Sequence, residues 1–507
     1  MRLRTFSRMW SFRAHRFLPV LAVLALATVA SAMVIPNLFP FLDPTGFVAT
    51  YNTAGAIQET NPFFQSLGTN GRTCATCHLA GDAFGLSVRS VQMRFAQTGG
   101  SDPLFAPVDG ANCSNASAGN PTDHSLLLKS GLIRIALVVP SSAQFTITAV
   151  HDPYGCASVT DPDTGAQTVS VYRRPLPTTN LGFLSTVMFD GRETIQPLNN
   201  PANFSANLTT DLAHQAMDAT LGHAQAAVPP TAAQQAAIVN FELGFYSGQL
   251  VDDHAGPLFL GGAAGGPENL SKQSYYPGIN DSLGQDPTGK PFNPAGVFTI
   301  FNAWADSQPP FGLHGQDALF AARRKIAAGE ALFNTRQLLI TSVRGINDNP
   351  AIGPVPIPAV TGTCTTCHDT PNVGNHSLPL PLDIGTGHDL ARETDPIIAN
   401  GLAQLGFPDV PVFQITGCPN PFADPAMPAG PFVIYTTDPG KALISGKCSD
   451  VSRTKGPVLR GLAARAPYFH NGAAQTLQQL VNFYNQRFQM NLTSDEMDEL
   501  IAFLNSL

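Results

Sequence analysis

Two segments of the chain carry the same short arrangement of cysteine and histidine, Arg72–Gly81 (RTCATCHLAG) and Gly362–Pro371 (GTCTTCHDTP). Each contains a C-x-x-C-H motif, and 290 residues separate the two copies. The motif residues are Cys74, Cys77 and His78 in the first copy, and Cys364, Cys367 and His368 in the second. In such a motif each cysteine sulfur can form a thioether with a vinyl group of a haem, and the histidine lies against the iron as its proximal ligand. The pattern therefore predicts two covalently attached c-type haems.

Two other interpretations of the C-x-x-C pairs fit the sequence less well. A zinc site needs four ligands, and the next cysteine after Cys77 is the isolated Cys113. A redox-active C-x-x-C does not require a following histidine, let alone in both copies. The function of such haems depends on the opposite face of the iron, because two protein ligands favour electron transfer and catalysis needs an open face.

The N-terminus has the three-part layout of a secretory signal. Arginines precede the apolar run Phe17–Ala30, and the small residues Ala30–Ala32 suit a signal peptidase. The run is shorter than the ~20 residues of a spanning helix, although residues 33–42 continue it, so a membrane anchor is the alternative. We expect residues 1–32 to be removed and the mature protein to be periplasmic or secreted, with no membrane contact beyond the signal.

Four of the eight cysteines lie outside the two motifs, an even number that suits disulfides in an oxidising compartment. Three pairings are possible. We favour Cys113–Cys156 and Cys418–Cys448, because each would close a modest loop. Free buried thiols are the alternative.

Composition indicates a globular protein of two or three domains, with 43% hydrophobic and only 13% charged residues. The net charge of −8 gives no sign of nucleic acid binding, which needs basic clusters. Helical patterns cover Thr231–Gln249, Asp317–Thr335 and the C-terminal Thr493–Leu507, whereas strand-like alternation is short. We therefore expect a mainly α fold with long irregular loops. The expected organisation is a signal at 1–32, a lead-in at 33–60, a haem domain at 61–255, a connecting loop at 256–315 and a second haem domain at 316–507.

The segment Lys455–Gln486 (KGPVLRGLAARAPYFHNGAAQTLQQLVNFYNQ) resembles the corresponding part of the bacterial di-haem cytochrome c peroxidases and MauG-like enzymes. Met188–Ile195 (MFDGRETI) is similar to the W-D-G-R segment of that family, and Ala327–Gln337 to its G-x-x-L-F helix. The resemblance implies two cytochrome c-like helical domains whose haems face each other across the domain interface. It also implies an oxidoreductase that activates hydrogen peroxide and exchanges electrons with a small redox protein.

The resemblance also suggests a ligand for the second haem. Peroxidases of the family place a Met fourteen residues after the His of P-Y-F-H, and here that position is Tyr484, counted from His470. MauG-like proteins have an axial Tyr there, so the chain looks like the MauG branch. Met427 is the substitute ligand, and a purely packing role for Tyr484 is the other alternative.

The first haem lacks the distal histidine of the family peroxidases, since Arg94 stands at that position. Arg94 is either a hydrogen-bond donor to an iron-bound species or an ordinary surface or propionate-pairing residue. The di-haem rubber oxygenases, distant relatives, also lack this histidine and activate dioxygen, so a dioxygenase remains open. A non-catalytic electron carrier is the third possibility.

The remaining family positions give further candidates. Leu212–Gln225 resembles the segment with the distal Gln and an acidic group, which makes Gln215 and His223 candidate acid–base residues. The tryptophan between the haems is replaced by Phe189. Arg465 stands where calcium-binding members have a Thr ligand, so the resemblance does not carry over a calcium site.

Overall fold

The structure, a computed structural model, describes residues 34–117, 119–309, 317–422 and 432–507. The expected signal segment and Met427 lie outside these residues. Within them, no helix is both long and apolar enough to cross a membrane.

Helices occur along the whole described chain but do not dominate it. They are α1 (Val88–Thr98), α2 (Ser125–Ser130), α3 (Phe204–Gly222), α4 (Ala232–Gly244), α5 (Pro267–Leu270), α6 (Asp317–Thr335), α7 (Pro396–Leu402), α8 (Ala442–Ser445), α9 (Leu477–Arg487) and α10 (Ser494–Asn505). Helix accounts for 30% and strand for 15% of the structure, so the expectation of a mainly α fold is wrong. Most of its strands are short, and several pair with distant segments, which local sequence patterns do not reveal.

The strands form five small antiparallel sheets. They are β1 (Val34–Ile35), β2 (Phe41–Asp43), β3 (Gly46–Asn52), β4 (Ile57–Gln58), β5 (Ile133–Val138), β6 (Thr146–His151), β7 (Ser158–Thr160), β8 (Gln167–Arg173), β9 (Phe245–Asp252), β10 (Gly256–Pro257), β11 (Leu338–Ile340), β12 (Val360–Gly362), β13 (Val412–Thr416) and β14 (Ile434–Thr436). The sheets have the orders β1-β4, β10-β9-β3-β2, β11-β12, β14-β13-β6 and β5-β8-β7.

The helix expected at Thr231–Gln249 is shorter than its pattern. A capping box of Thr231 and Gln234 starts α4, which ends at Gly244. From Phe245 the chain continues as β9, which pairs along its length with β3. The predicted helix is wrong from Phe245 onward, because the distant strand β3 supplies hydrogen bonds that replace those of a helix.

Two of the sheets build a β unit from both halves of the chain. Strand β6 pairs with β13, so Phe413 lies opposite Ala149 although 264 residues separate them. The sheets share a buried core that contains Val169, Val171 and Ile415. Both expected disulfides, Cys113–Cys156 and Cys418–Cys448, are present, and three of their four cysteines are buried. The predicted cysteine pairing is confirmed.

The largest core joins α6 and α10 and lies against the second C-x-x-C-H motif. Gly329 of α6 packs so closely on α10 that a Cβ there would lie 2.0 Å from the Glu499 carbonyl oxygen. Phe333 and Phe503 fill the space beside this crossing, and the cysteines of the second motif pack against the same core. The crossing therefore fixes where the second motif sits.

An aromatic cluster supports the first motif in the same way. Phe63, Phe84, Phe241 and Phe245 are buried with ring centroids 4.4 to 6.5 Å apart. Phe63 lies 6.4 Å from the His78 ring. Since two of these rings come from the end of α4 and the start of β9, the helix-to-strand change positions the first motif.

Candidate functional site

The two C-x-x-C-H motifs have the same backbone geometry. In each, the residues from the first cysteine onward form one 3-10 turn, Cys74–Thr76 and Cys364–Thr366. A threonine before each turn forms a capping box with the threonine at its end. The four motif cysteines are free, and burial raises the pKa of each thiol. Each turn therefore presents two protonated thiols, and the motif histidine follows directly after the second one.

Both motif histidines are oriented by a backbone carbonyl. His78 Nδ1 lies 3.2 Å from the Phe84 oxygen, and His368 Nδ1 lies 2.6 Å from the Gly374 oxygen. Burial lowers the pKa of each imidazole to about 4, so both rings are neutral at pH 7. A carbonyl oxygen can only accept a hydrogen bond, which places the proton on Nδ1. Each Nε2 therefore keeps its lone pair, as a metal ligand requires.

The first motif lines a large cavity, with about 1420 Å³ of space including its opening. Its other walls come from α3, from Pro175–Leu181 and from Lys455–Arg465. Most of the lining is apolar, with side chains such as Leu212 and Ile238. Among the residues proposed from the sequence, Gln215 and His223 face this cavity together with His78.

His223 contacts a carboxylate that the sequence did not single out. Its Nδ1 contacts Asp109, which also pairs with the buried Arg72. Burial alone would raise the pKa of Asp109, but the hydrogen bond and charge of His223 and the charge of Arg72 lower it. The Asp109 carboxylate is therefore anionic. Because it contacts Nδ1 of His223, the other ring nitrogen, Nε2, is free for other partners.

Arg94 is not among the residues that line the first cavity. Its Nε and Nη2 donate to the carboxylate of Asp102 at 2.9 and 2.6 Å, and Nη1 donates to the Thr76 carbonyl. The ion pair is about four-fifths buried. Arg94 therefore ties α1 to the first motif from outside the cavity.

A buried acid of the first cavity is missing from the sequence-based candidates. Glu242 on α4 is buried, and its Oε2 has no hydrogen-bond partner. Burial raises its pKa to about 8, so the carboxyl group carries a proton at pH 7. In the sequence, Glu242 is visible only as a glutamate on the apolar face of a helix. Its position indicates a functional role only once the cavity beside it is known.

The second motif lines a separate cavity of about 1710 Å³, again including its opening. Tyr484 of α9 lies in its wall, with its ring stacked 5.7 Å from Phe488. Burial raises the pKa of Tyr484, so an unliganded phenol stays protonated there. Phe189 and His470 line the same cavity with ring centroids 6.1 Å apart. Trp304 lies outside both linings, in the large core.

The two cavities share one wall. Residues common to both linings are Pro175, Leu176, Pro177, Lys455, Pro457 and Arg465. Two chain segments, one from each half of the sequence, thus form the wall between the cavities. Lys455 and Arg465 were not predicted to line both sites.

No family model matches the chain. It is similar to a cytochrome-c peroxidase IdrP2 of Denitromonas iodatirespirans, with 40% identity over 78 residues, which are 14% of this chain and 21% of that protein. It is also similar to a cytochrome c551 peroxidase of Nitrosomonas europaea, with 32% identity over 119 residues, or 21% of this chain and 35% of that protein. The chain therefore spans only about a fifth to a third of the length of these relatives. These partial matches support a broad relation to bacterial cytochrome c peroxidases.

Proposed function

We propose that the chain is an exported di-haem c-type oxidoreductase that reduces hydrogen peroxide. The observation that carries this proposal is the pair of cavities, each lined by a C-x-x-C-H motif whose histidine keeps a free Nε2. The peroxidase names of the relatives support the same chemistry. We retain 61–255 and 316–507 as the two haem-bearing domains, joined by 256–315, as part of this proposal.

The residues of both cavities fit a covalently bound haem. The cysteines would form the thioethers, and His78 and His368 would ligate the two irons through Nε2. Both cavities are lined mostly by apolar side chains, which suits the ring of a haem.

The first cavity is our proposed site of peroxide reduction. A bound haem supplies the redox chemistry, and the protein supplies proton transfer. His223, held by Asp109 through Nδ1, would transfer a proton through Nε2, which that contact leaves free. Gln215 can orient the peroxide by hydrogen bonding, and the protonated Glu242 is a second proton donor.

The second cavity is our proposed site for relaying or storing oxidising equivalents. Tyr484, in the wall of this cavity, would be a second protein ligand for a haem held there, and its phenolate oxygen would favour the more oxidised iron. This assignment would place the protein in the MauG-like branch. A small redox protein in the periplasm or outside the cell is the proposed electron partner.

The test is a haem count followed by two titrations. A pyridine haemochrome assay on exported protein should give two haems per chain, and His78→Gly and His368→Gly should each change one of two separable spectra. Peroxide should then react at the first haem. A count of one haem, or iron that is six-coordinate at both sites and unresponsive to peroxide, would contradict the proposal. A stable dioxygen complex in the untreated protein would favour the dioxygenase instead.

A further inference from the structure

Four cationic side chains are gathered around the wall that separates the cavities. Lys455 and Arg465 line both cavities. Arg460 lines only the first, and Arg174 lines only the second. Lys455, Arg460 and Arg174 are buried, with 8%, 2% and 7% of their surfaces exposed.

The hydrogen bonds of Lys455 and Arg174 go to backbone carbonyls. Lys455 Nζ donates to the Thr186 oxygen at 2.6 Å. Arg174 donates to the carbonyls of Ser130, Leu86 and Arg465. Carbonyl dipoles satisfy donors, but they do not neutralise a full positive charge.

The two remaining arginines keep unused donors. Arg465 Nη2 donates to the carbonyls of Val458 and Arg460, at 2.7 and 3.1 Å, and its buried Nε has no partner. Among the residues that the structure describes, Arg460 donates from Nη1 to the Asn372 carbonyl at 3.3 Å, and its Nε and Nη2 find no partner. Orphaned guanidinium donors in a buried wall indicate an acceptor that the protein itself does not supply.

Among the described residues, none of the four cations forms an ion pair with a carboxylate. The charge of Asp190 raises the pKa of Lys455, but the Asp190 carboxylate forms its ion pairs with Arg173 and Arg192. The charge of Glu330 raises the pKa of Arg460 in the same way, but the Glu330 carboxylate accepts a hydrogen bond from the Phe301 amide. Burial lowers the pKa of Lys455 to about 7, because the charge of Asp190 offsets it only in part. Burial and the charge of Arg465 lower the pKa of Arg174 to about 9, against a smaller opposing effect of Asp82. Removing such charges from water is costly unless anions accompany them.

We propose that Arg174, Lys455, Arg460 and Arg465 form a carboxylate-binding wall that holds the propionate groups of both bound haems. Lys455 and Arg465 would be shared between the two cofactors. The inference rests on the proposed function, because it needs a haem in each cavity. It adds a specific electrostatic link between them, since guanidinium groups bind carboxylates bidentately and one shared cation acts on both irons.

The experiment measures both haem reduction potentials in the full, haem-loaded chain. Loss of a cation leaves a propionate uncompensated, which favours the ferric state and lowers the potential. Lys455→Met should lower both potentials, Arg460→Met only the first and Arg174→Met only the second. The expected size is about a tenfold change in the ferric-to-ferrous ratio, or roughly 59 mV for a one-electron couple. Lys455→Arg keeps the charge and should restore both values.

Arg323→Met is the matched control. Arg323 is also buried and donates to a carbonyl, that of Ala255, but it packs on Trp304 outside both cavities. Its removal should leave both potentials unchanged. Retention of two haems and of the circular dichroism spectrum shows that each variant is folded, and Lys455→Arg decides the matter should Lys455→Met fail this criterion.

Each outcome has a distinct meaning. A wild-type chain without haem overturns the proposed function and this inference with it. Two haems whose potentials ignore Lys455→Met, or respond equally to Arg323→Met, overturn the inference alone. If the reduction potentials shift in phosphate buffer but not in chloride, the wall binds a free anion. That result would also overturn the inference.

Discussion

Nδ1 of His223 contacts the carboxylate of Asp109 at the edge of the first cavity, although 114 residues separate them. The contact holds the imidazole through Nδ1 and leaves Nε2 available. It gives His223 the same arrangement as a histidine that is used for proton transfer, held by a carboxylate on one nitrogen.

We expect His223→Gln to slow the reaction with hydrogen peroxide by about 10²-fold, the usual range for loss of a general acid–base group. The haem content should not change. Stopped-flow absorbance after mixing with peroxide measures the rate. His151→Gln is the control, because His151 forms a similar pair with Asp409 on the exposed surface. Equal rates for wild type and both variants would remove His223 from the mechanism.

Tyr484→Phe keeps the ring and its stacking on Phe488 and removes only the hydroxyl. If the hydroxyl oxygen ligates the second iron, the optical and EPR spectra of that haem change, and the first haem's response to peroxide stays the same. Tyr468→Phe is the matched control, since Tyr468 lines the same cavity and donates to the Leu462 carbonyl at 3.1 Å. Unchanged spectra in Tyr484→Phe would show that Tyr484 only packs in the cavity wall and does not ligate the iron.

Glu242→Gln should make the protein less sensitive to pH. Burial raises the folded-state pKa of Glu242 to about 8 from 4.5, so folding takes up a proton and stability is lost as the pH rises between these values. Glutamine removes this loss and keeps the shape. Urea unfolding across that pH range should show a flatter profile for the variant, and the control Glu268→Gln, at a half-buried glutamate outside both cavities, should match wild type. A variant profile as steep as wild type would show that Glu242 is ionised in the folded protein.

His388 has the opposite dependence on pH. Burial alone would lower its pKa, but Asp383 and Glu393 raise it to about 10. Its contribution to stability is therefore complete below about pH 6.5 and is lost as the pH rises toward 10. In urea unfolding, His388→Gln should lose less stability than wild type across this alkaline range. The exposed His151→Gln should follow wild type, and identical curves for all three proteins would contradict the contribution of His388.

The sequence by itself determined the local chemistry. The adjacency of Cys74, Cys77 and His78 is enough to predict an attachment turn, because three near neighbours on one backbone turn need no distant partner. The same holds for the helical pattern at Thr493–Leu507, where a capping box of Thr493 and Glu496 starts α10. The cysteine pairing also followed from the sequence, since compartment and loop length limit the choices.

Only the tertiary structure decided which distant residues share a site. Strand β6 pairs with β13, and β9 replaces the end of a helix, because hydrogen-bond partners from remote segments outweigh local propensity. In the same way, Lys455 borders two cavities that local sequence patterns cannot reveal. Burial and the position of counter-charges arise only from packing, so the pKa values of Glu242 and His388 could not be predicted from their neighbours along the chain.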